Sequence, residues 1–363
     1  MITVTVVSSP MDGSCGIGSY TEALLAHLGE DVDEDVVVLD TAKRGLSATI
    51  SYARTAFRVG TTDSDVIHIQ HEYGFFGKKW LLMWAFYPIV FVLARLRRRP
   101  VAVTLHEAWN VDRMDPPLLW LKGAYIRVAN GMIASTASSL VFLSENCRSK
   151  FQRSGSVDDY RLLPHGVEED EVRPTPEAAA KATFGFDADD TVITEFGYLR
   201  PSKGYETFLK IAERCREHEF LVAGGNPSED EYLESLEADA PENVTFTGHL
   251  SDREFHAAFS ATDVAVLPYS EVAQSGIFNW CVAYGLPTVA SRLPRFERLR
   301  SEYGCPAIFE SVDEAGRAIR QVLNDDAHRE NLISAAERFR RENEFEKVGD
   351  QHEALYRRLV RSS

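Results

Sequence analysis

The sequence predicts an α/β protein of two domains, each built on a parallel sheet. Three observations predict it. A chain of 363 residues is longer than one hydrophobic core usually serves. Short β-branched runs alternate with amphipathic helical stretches along nearly its whole length. An acidic stretch from Glu168 to Asp190, with Pro174, Pro176 and a run of small residues, has linker character and separates two such alternations. The domains are therefore placed at 1–170 and 171–344, followed by a charged tail over 345–363.

Composition narrows the function classes. With 44% hydrophobic and 26% charged residues the chain has an ordinary globular make-up. Its formal charge is −16, and only nine of the 39 Lys and Arg are Lys. Such a surface disfavours broad nucleic-acid binding; the Lys poverty fits either a saline cytoplasm or a GC-rich coding sequence. Five widely spaced cysteines, Cys15, Cys147, Cys215, Cys281 and Cys305, contain no C-x-x-C pair, so neither a disulfide framework nor a zinc site is expected. Ile2 to Ser9 reads as a strand rather than a leader, and the expected compartment is the cytoplasm.

The first strand, Ile2 to Ser9, leads into a glycine-containing loop, Met11 to Ser19, and then a helix with Tyr20, Leu24, Leu25 and Leu28 on one face. Val36 to Leu39 follows as a strand ending at Asp40. The layout resembles a dinucleotide fingerprint, but Thr21 stands where the third glycine belongs and the loop is too long. Two readings remain: a loop whose backbone at Gly16 and Gly18 lets a substrate approach, or an ordinary loop. Asp65 to Gln70 leads into His71-Glu72-Tyr73-Gly74, and Val101 to Leu105 into His106-Glu107. Titratable residues directly after buried strands sit at the carboxyl edge of a sheet, where open α/β folds bind ligands. Two imidazoles over one cleft are expected, although a single such histidine is more often a structural hydrogen-bonder. Ser139 to Ser144 and Tyr160 to Leu163 are further strands, the last ending in Pro164-His165-Gly166-Val167.

Between two of these strands, Trp80 to Ala94 is fifteen residues without charge, bordered by Lys78 and Lys79 and by Arg95, Arg97, Arg98 and Arg99. Fifteen residues fall short of the roughly twenty that span a bilayer. Cations bordering tryptophans and aliphatics describe an interfacial membrane segment over 78–99, which Leu118 to Val128 could extend. The alternative is a core helix capped by solvated arginines.

In the second half, Thr191 to Gly197 is a strand, and Phe208, Ile211, Ala212 and Cys215 mark a helix with one buried face. The loop between them, Gly197 to Gly204, carries Arg200 and Lys203 beside a helix N-terminus that itself favours anions. A diphosphate fits there; the plain alternative is a solvated turn. Phe220 to Gly225, Val244 to Thr247 and Val264 to Pro268 continue the strands. Tyr269 to Gly276, including Glu271, Gln274, Ser275 and Gly276, opens a second anion-friendly helix end. The tail from Ala335 to Arg361 reads as a helix broken near Asn343, with Phe345, Val348, Leu355, Tyr356 and Leu359 as its apolar stripe.

Taken together, Gly16-Ile17-Gly18, His71-Glu72-Tyr73-Gly74, Thr104-Leu105-His106, Pro164-His165-Gly166-Val167, Gly197 to Gly204, Pro268-Tyr269, Gln274-Ser275-Gly276 and Ala283 to Pro287 occur in the order and at about the spacing of a glycosyltransferase family. Over nearly its whole length the chain resembles the family 4 glycosyltransferases (group 1), in a Gln-Ser-Gly variant. The resemblance implies the GT-B fold, two Rossmann-like α/β/α domains facing a cleft, with helix 345–363 crossing back onto the first domain. It implies a retaining, metal-independent transfer of a hexose from a nucleoside diphosphate sugar, without cofactor. His106, Arg200 and Lys203 would be catalytic, and Gly16, Gly18, Glu271, Gln274, Ser275 and Gly276 would bind the donor. His71, Glu72, Tyr73 and His165 are candidates on the acceptor side. The acceptor expected is lipid-linked or a glycan precursor at the inner face of the cell membrane, touched through 78–99. One departure stands out: the family's usual two glutamates, eight apart, fall at Val272 and Trp280, so only Glu271, by a one-residue shift, can replace the first. The alternative functions are a non-catalytic nucleotide-sugar-binding subunit and a GT-B epimerase.

Overall fold

The computed structural model describes residues 1–11, 15–41, 43–77, 81–109, 119–156, 158–167, 171–225, 231–272 and 274–362. The chain divides into two compact units, Met1–Gly166 with Phe345–Ser363, and Val167–Glu344. In chain order the first unit contains β1 (Ile2–Ser8), α1 (Gly16–Ala26), β2 (Val32–Val38), α2 (Gly45–Gly60), β3 (Val66–His71), α3 (Met83–Arg97), β4 (Val101–Leu105), α4 (Leu119–Thr136), β5 (Ser139–Phe142), α5 (Glu145–Gln152) and β6 (Tyr160–Leu162). The second contains α6 (Glu177–Thr183), β7 (Val192–Phe196), α7 (Tyr205–Arg214), β8 (Glu219–Ala223), α8 (Glu231–Asp239), β9 (Val244–Phe246), α9 (Asp252–Ala261), β10 (Val264–Leu267), α10 (Gly276–Ala283), β11 (Thr288–Ser291), α11 (Pro294–Tyr303), β12 (Ala307–Phe309), α12 (Val312–Asn324) and α13 (Asp326–Glu342). Helix α14 (Phe345–Arg361) belongs to the first unit again.

Among the described residues there are two six-stranded parallel sheets, ordered β2-β1-β3-β4-β5-β6 and β12-β11-β10-β7-β8-β9. The second is the doubly wound order 3-2-1-4-5-6 read from its other edge, so the chain reverses direction between β7 and β10. In the first sheet the reversal lies between β1 and β3. Central strands are covered on both faces, and β3, β4 and β7 are accordingly buried at every residue.

Local chemistry explains where the elements depart from expectation. Helix α1 begins at Gly16, because the backbone turns helical after Cys15, which supplies no side-chain cap that could mark the start. Gly16 and Gly18 therefore lie in the first turn rather than in a loop. Strand β2 starts at Val32, earlier than expected: it is an edge strand, and its exposed Asp33, Glu34 and Asp35 hide the pattern. Helix α2 was not anticipated, although its buried Ala48, Tyr52, Ala56 and Val59 keep helical spacing.

Much of the uncharged run resolves into core. Met83, Phe86, Tyr87, Val90 and Ala94 of α3 are buried within the first unit. Lys78, Lys79 and Trp80 lie outside the described residues. Arg97 pairs with Asp63 at 3.1 Å and Arg99 with Asp65 at 3.8 Å, so half of the arginine cluster is matched by nearby acids. Helix α14 packs Leu355, Tyr356 and Leu359 against Val4, Val6 and Val66, while its Phe345 and Val348 join Tyr20 and Leu24. Tyr356 Oη meets His68 Nδ1 at 2.7 Å, and His68 Nε2 meets Thr104 Oγ1 at 2.7 Å, which ties the helix to β3 and β4.

Candidate active site

In the second unit the loops that follow β7 and β10 meet at the point where the winding reverses, the place where open α/β sheets bind ligands. Gly204 makes the meeting close. It has φ of +79°, and a Cβ there would lie 2.0 Å from the carbonyl oxygen of Pro268, so no other residue fits. The amide of Ser270 donates to the carbonyl of Ser202 at 3.0 Å. Lys203 Nζ donates to Tyr269 Oη at 2.7 Å and sits 4.1 Å from the centre of that ring. Tyr269 Oη is in turn 3.5 Å from Ser275 Oγ, the residue that caps α10 by accepting from the amide of Phe278 at 3.1 Å. The chain thus brings Lys203 to the N-terminus of α10, whose first amides and dipole favour an anion.

Arg200 precedes the short turn Pro201–Lys203 and is exposed. Burial lowers the pKa of Lys203 to about 8, against an opposing pull from Glu195, while Arg200 lowers it further. Glu271, exposed, and Gln274, half-buried, lie between β10 and α10. Trp280, at the position of the family's second glutamate, packs on Phe255 at 5.3 Å and His256 at 5.6 Å between ring centres. It has become part of an aromatic cluster against α9. Tyr269 was missed as a site residue because its contact with Lys203 joins loops far apart in sequence; Pro268-Tyr269 at a strand end was the available signal.

In the first unit β3 and β4 pair with His71 opposite Leu105, and the amide of His106 donates to the carbonyl of His71 at 3.2 Å. The two imidazoles nevertheless serve different places. His71 is wholly buried, with Nδ1 2.8 Å from Tyr87 Oη and its ring against Tyr73 and Phe76; burial lowers its pKa to about 3. Tyr73 is equally buried and donates to Asn130 Oδ1 at 2.6 Å. Both are packed into the core of the first unit and expose no surface in this structure. Glu72 is half-buried and its carboxylate accepts from the amide of Gly74.

His106 donates from Nε2 to Gln70 Oε1 at 2.9 Å, which leaves Nδ1 as an acceptor. Burial, then His165 and His71, hold its pKa well below the usual value, so it is neutral. Its ring lies 5.0 Å from that of Tyr20, and His165 lies 4.9 Å from the same ring. Tyr20 of α1, read from the sequence only as a core residue, therefore joins two predicted site histidines. A Cβ at Gly18 would fall 2.0 Å from the carbonyl oxygen of Pro10, so that glycine answers a need within the fold. Gly16 is exposed and has nothing within 4 Å of that position.

Among the described residues, no group of three or more His, Cys, Asp or Glu side chains could hold a metal ion. No described helix is long and apolar enough to cross a membrane.

Two doubly wound α/β units, each on a six-stranded parallel sheet, define the two-domain GT-B class. Sucrose-phosphate synthase from Thermosynechococcus elongatus has the same architecture, with a TM-score of 0.76 over 100% of both chains at 19% identity. So has Anabaena HepE in complex with UDP-glucose, at 0.75 over 98% of this chain and 99% of that one, with 15% identity. Residues 190–325, within the second unit, match the family model described as Glycosyl transferases group 1. A similar sequence is that of the GDP-mannose-dependent alpha-(1-6)-phosphatidylinositol monomannoside mannosyltransferase of Mycobacterium tuberculosis, 28% identical over 208 residues, or 51% of this chain and 52% of that protein. The chain spans about half the length of the curated relatives it matches.

Proposed function

We propose that the protein is a retaining, metal-independent hexosyltransferase that uses a nucleoside diphosphate sugar. The observation that carries this reading is the convergence of Lys203, Tyr269 and the capped N-terminus of α10 where the second sheet reverses, with Arg200 on the same loop. A departing diphosphate needs positive charge and aligned amides, and such preorganised stabilisation is commonly the largest catalytic term. In this reading Arg200, Lys203 and the first amides of α10 take the phosphates, with Glu271 and Gln274 beside them. His106 Nδ1 accepts from a sugar hydroxyl, and Gly16 offers open backbone. Support for the donor class comes from the HepE complex with UDP-glucose and from the GDP-mannose-dependent relative.

The acceptor proposed is a lipid-linked or glycan-precursor hydroxyl at the cytoplasmic face of the membrane, with Glu72 and His165 as the remaining acceptor-side candidates. The mycobacterial relative is named for a phosphatidylinositol mannoside, which supports a lipid acceptor. On the first unit Leu81, Trp84, Leu119, Trp120, Leu121 and Val128 are exposed large apolar residues on and beside α3 and α4. Trp84 Nε1 donates to Tyr125 Oη at 3.2 Å, bringing the two helices' aromatic residues together. Such a surface suits shallow insertion.

The test is a thermal-shift screen of UDP- and GDP-hexoses, followed by donor turnover with polyprenyl phosphate and phosphatidylinositol acceptors and NMR assignment of the product's anomeric configuration. Transfer with retention supports the proposal. Binding without turnover on any acceptor defeats it.

A further inference from the structure

Among its described residues the second unit holds one buried carboxylic acid, and the proposed mechanism does not use it. Glu195 lies in β7, is fully buried, and neither of its carboxyl oxygens has a hydrogen-bond partner. An ionised carboxylate in that state is costly, so the group keeps its proton unless a cation comes to it. Burial accordingly raises its pKa well above the usual carboxyl range, and the pull in the other direction comes from Lys203.

The setting is specific. Gly197 follows the end of β7 two residues beyond Glu195, Lys203 Nζ lies 3.6 Å from where a Cβ of Gly197 would be, and Lys203 is the cation whose charge acts on Glu195. The ammonium thus sits beside the strand end and donates to Tyr269 Oη at 2.7 Å. Around this pair stand Arg200 on the same loop, Tyr205 and Glu206 on α7, Tyr269 after β10, and Cys281 on α10. Tyr205 Oη is committed to the carbonyl of Gly197 at 3.0 Å. Arg200 and Lys203 are the cations here, and the amide of Lys203 donates to the carbonyl of Arg200 at 2.9 Å.

We propose that Glu195 is a positioning residue for Lys203 and an internal rival of the diphosphate: as a neutral acid it leaves the ammonium to the ligand, and as a carboxylate it draws the ammonium inward. The inference rests on the diphosphate reading of this loop. It gives donor binding an alkaline limb that belongs to the acid as well as to the lysine, since the two titrate as a pair. Loss of the proton from Glu195 to solvent is the only chemical step.

The experiment measures Kd for UDP and GDP by calorimetry from pH 7 to 9.5, where the terminal phosphate (pKa about 6) is already ionised, for the wild type, Glu195→Gln and Lys203→Met. Glu195→Gln mimics the neutral acid. Its alkaline limb should move to higher pH, and near pH 8.5 it should bind about tenfold more tightly than wild type, the worth of one charge-assisted hydrogen bond. Lys203→Met should bind weakly with a flat profile. A limb for Glu195→Gln that coincides with wild type, or moves to lower pH, overturns the inference while leaving the diphosphate site standing. If Lys203→Met binds as wild type does at every pH, or wild type binds neither nucleotide, the site reading itself falls.

Discussion

The ring of Tyr20 stands edge-on to the imidazole of His106, with centroids 5.0 Å apart and planes at 85°. His165 lies 4.9 Å and Phe345 5.7 Å from the same ring. A tyrosine of α1 is therefore the common neighbour of histidines that follow β4 and β6, and of the first residue of α14. Its hydroxyl is buried without a partner, so the ring, not the oxygen, does the packing.

Tyr20→Phe should accordingly leave stability unchanged or raise it, since an unpartnered buried polar group costs about 1 to 3 kcal/mol. His106→Ala should cut transfer strongly while Kd for the free nucleoside diphosphate stays near that of wild type. Urea unfolding and steady-state kinetics separate the two effects. A large fall in melting temperature for His106→Ala, with or without ligand, would reduce His106 to a structural partner of Gln70 and Tyr20.

Arg200 is exposed and can be removed without disturbing the core. Arg200→Ala should lose about 2 to 4 kcal/mol of transition-state stabilisation, by analogy with the loss of one preorganised donor. The measurement is kcat/KM at saturating acceptor, with the melting temperature as control. An unchanged kcat/KM removes Arg200 from the phosphate clamp.

The interior of the first unit carries a pH liability. His68, His71, His106 and His352 all have pKa values lowered first of all by burial, with His71 at about 3 and His352 at about 4. These groups are neutral when folded and take up protons near 6.5 when unfolded, so stability is complete above about pH 6.5 and declines as the pH falls toward 4. The urea midpoint should drop over that window, and His352→Gln should shallow the slope. A midpoint independent of pH between 7 and 4.5 would show that these histidines are solvated in solution.

The alternation of strands and helices was legible because parallel strands are buried on both faces and read as apolar runs. The loops with Arg200, Lys203, Ser275 and Gly276 were legible because each lies just after such a run. Side-chain direction was not. His71 and His106 end neighbouring strands, yet Tyr87, sixteen residues beyond His71, takes the first into the core. Glu195 read as part of a strand, and Tyr269 as a motif residue. Their importance comes from Lys203 folding back between them, a contact that only the pairing of β7 with β10 creates.

The membrane reading changes its carrier once the side chains are placed. Arg97 and Arg99 are paired with Asp63 and Asp65, which leaves Arg95 and Arg98, among the described residues, without a carboxylate partner. Two cations near an anionic leaflet contribute about 2 kcal/mol, too little alone to hold a protein of net charge −16. The apolar side chains have to supply the rest. Trp120 is 74% exposed and Leu121 50% exposed, with Trp84 at 43%; burying a large apolar side chain contributes roughly 1.5 to 3 kcal/mol. Together these would give reversible attachment, an outcome that co-sedimentation checks. Co-sedimentation at low salt should show wild type on anionic vesicles and weakly on neutral ones, and a Trp84→Ser, Trp120→Ser, Leu121→Ser variant should lose most of the binding. The Arg95→Ser, Arg98→Ser pair should lose less. Equal and negligible sedimentation of wild type and the triple variant with anionic vesicles would return α3 and α4 to a purely structural role and remove the argument for an acceptor held in the membrane.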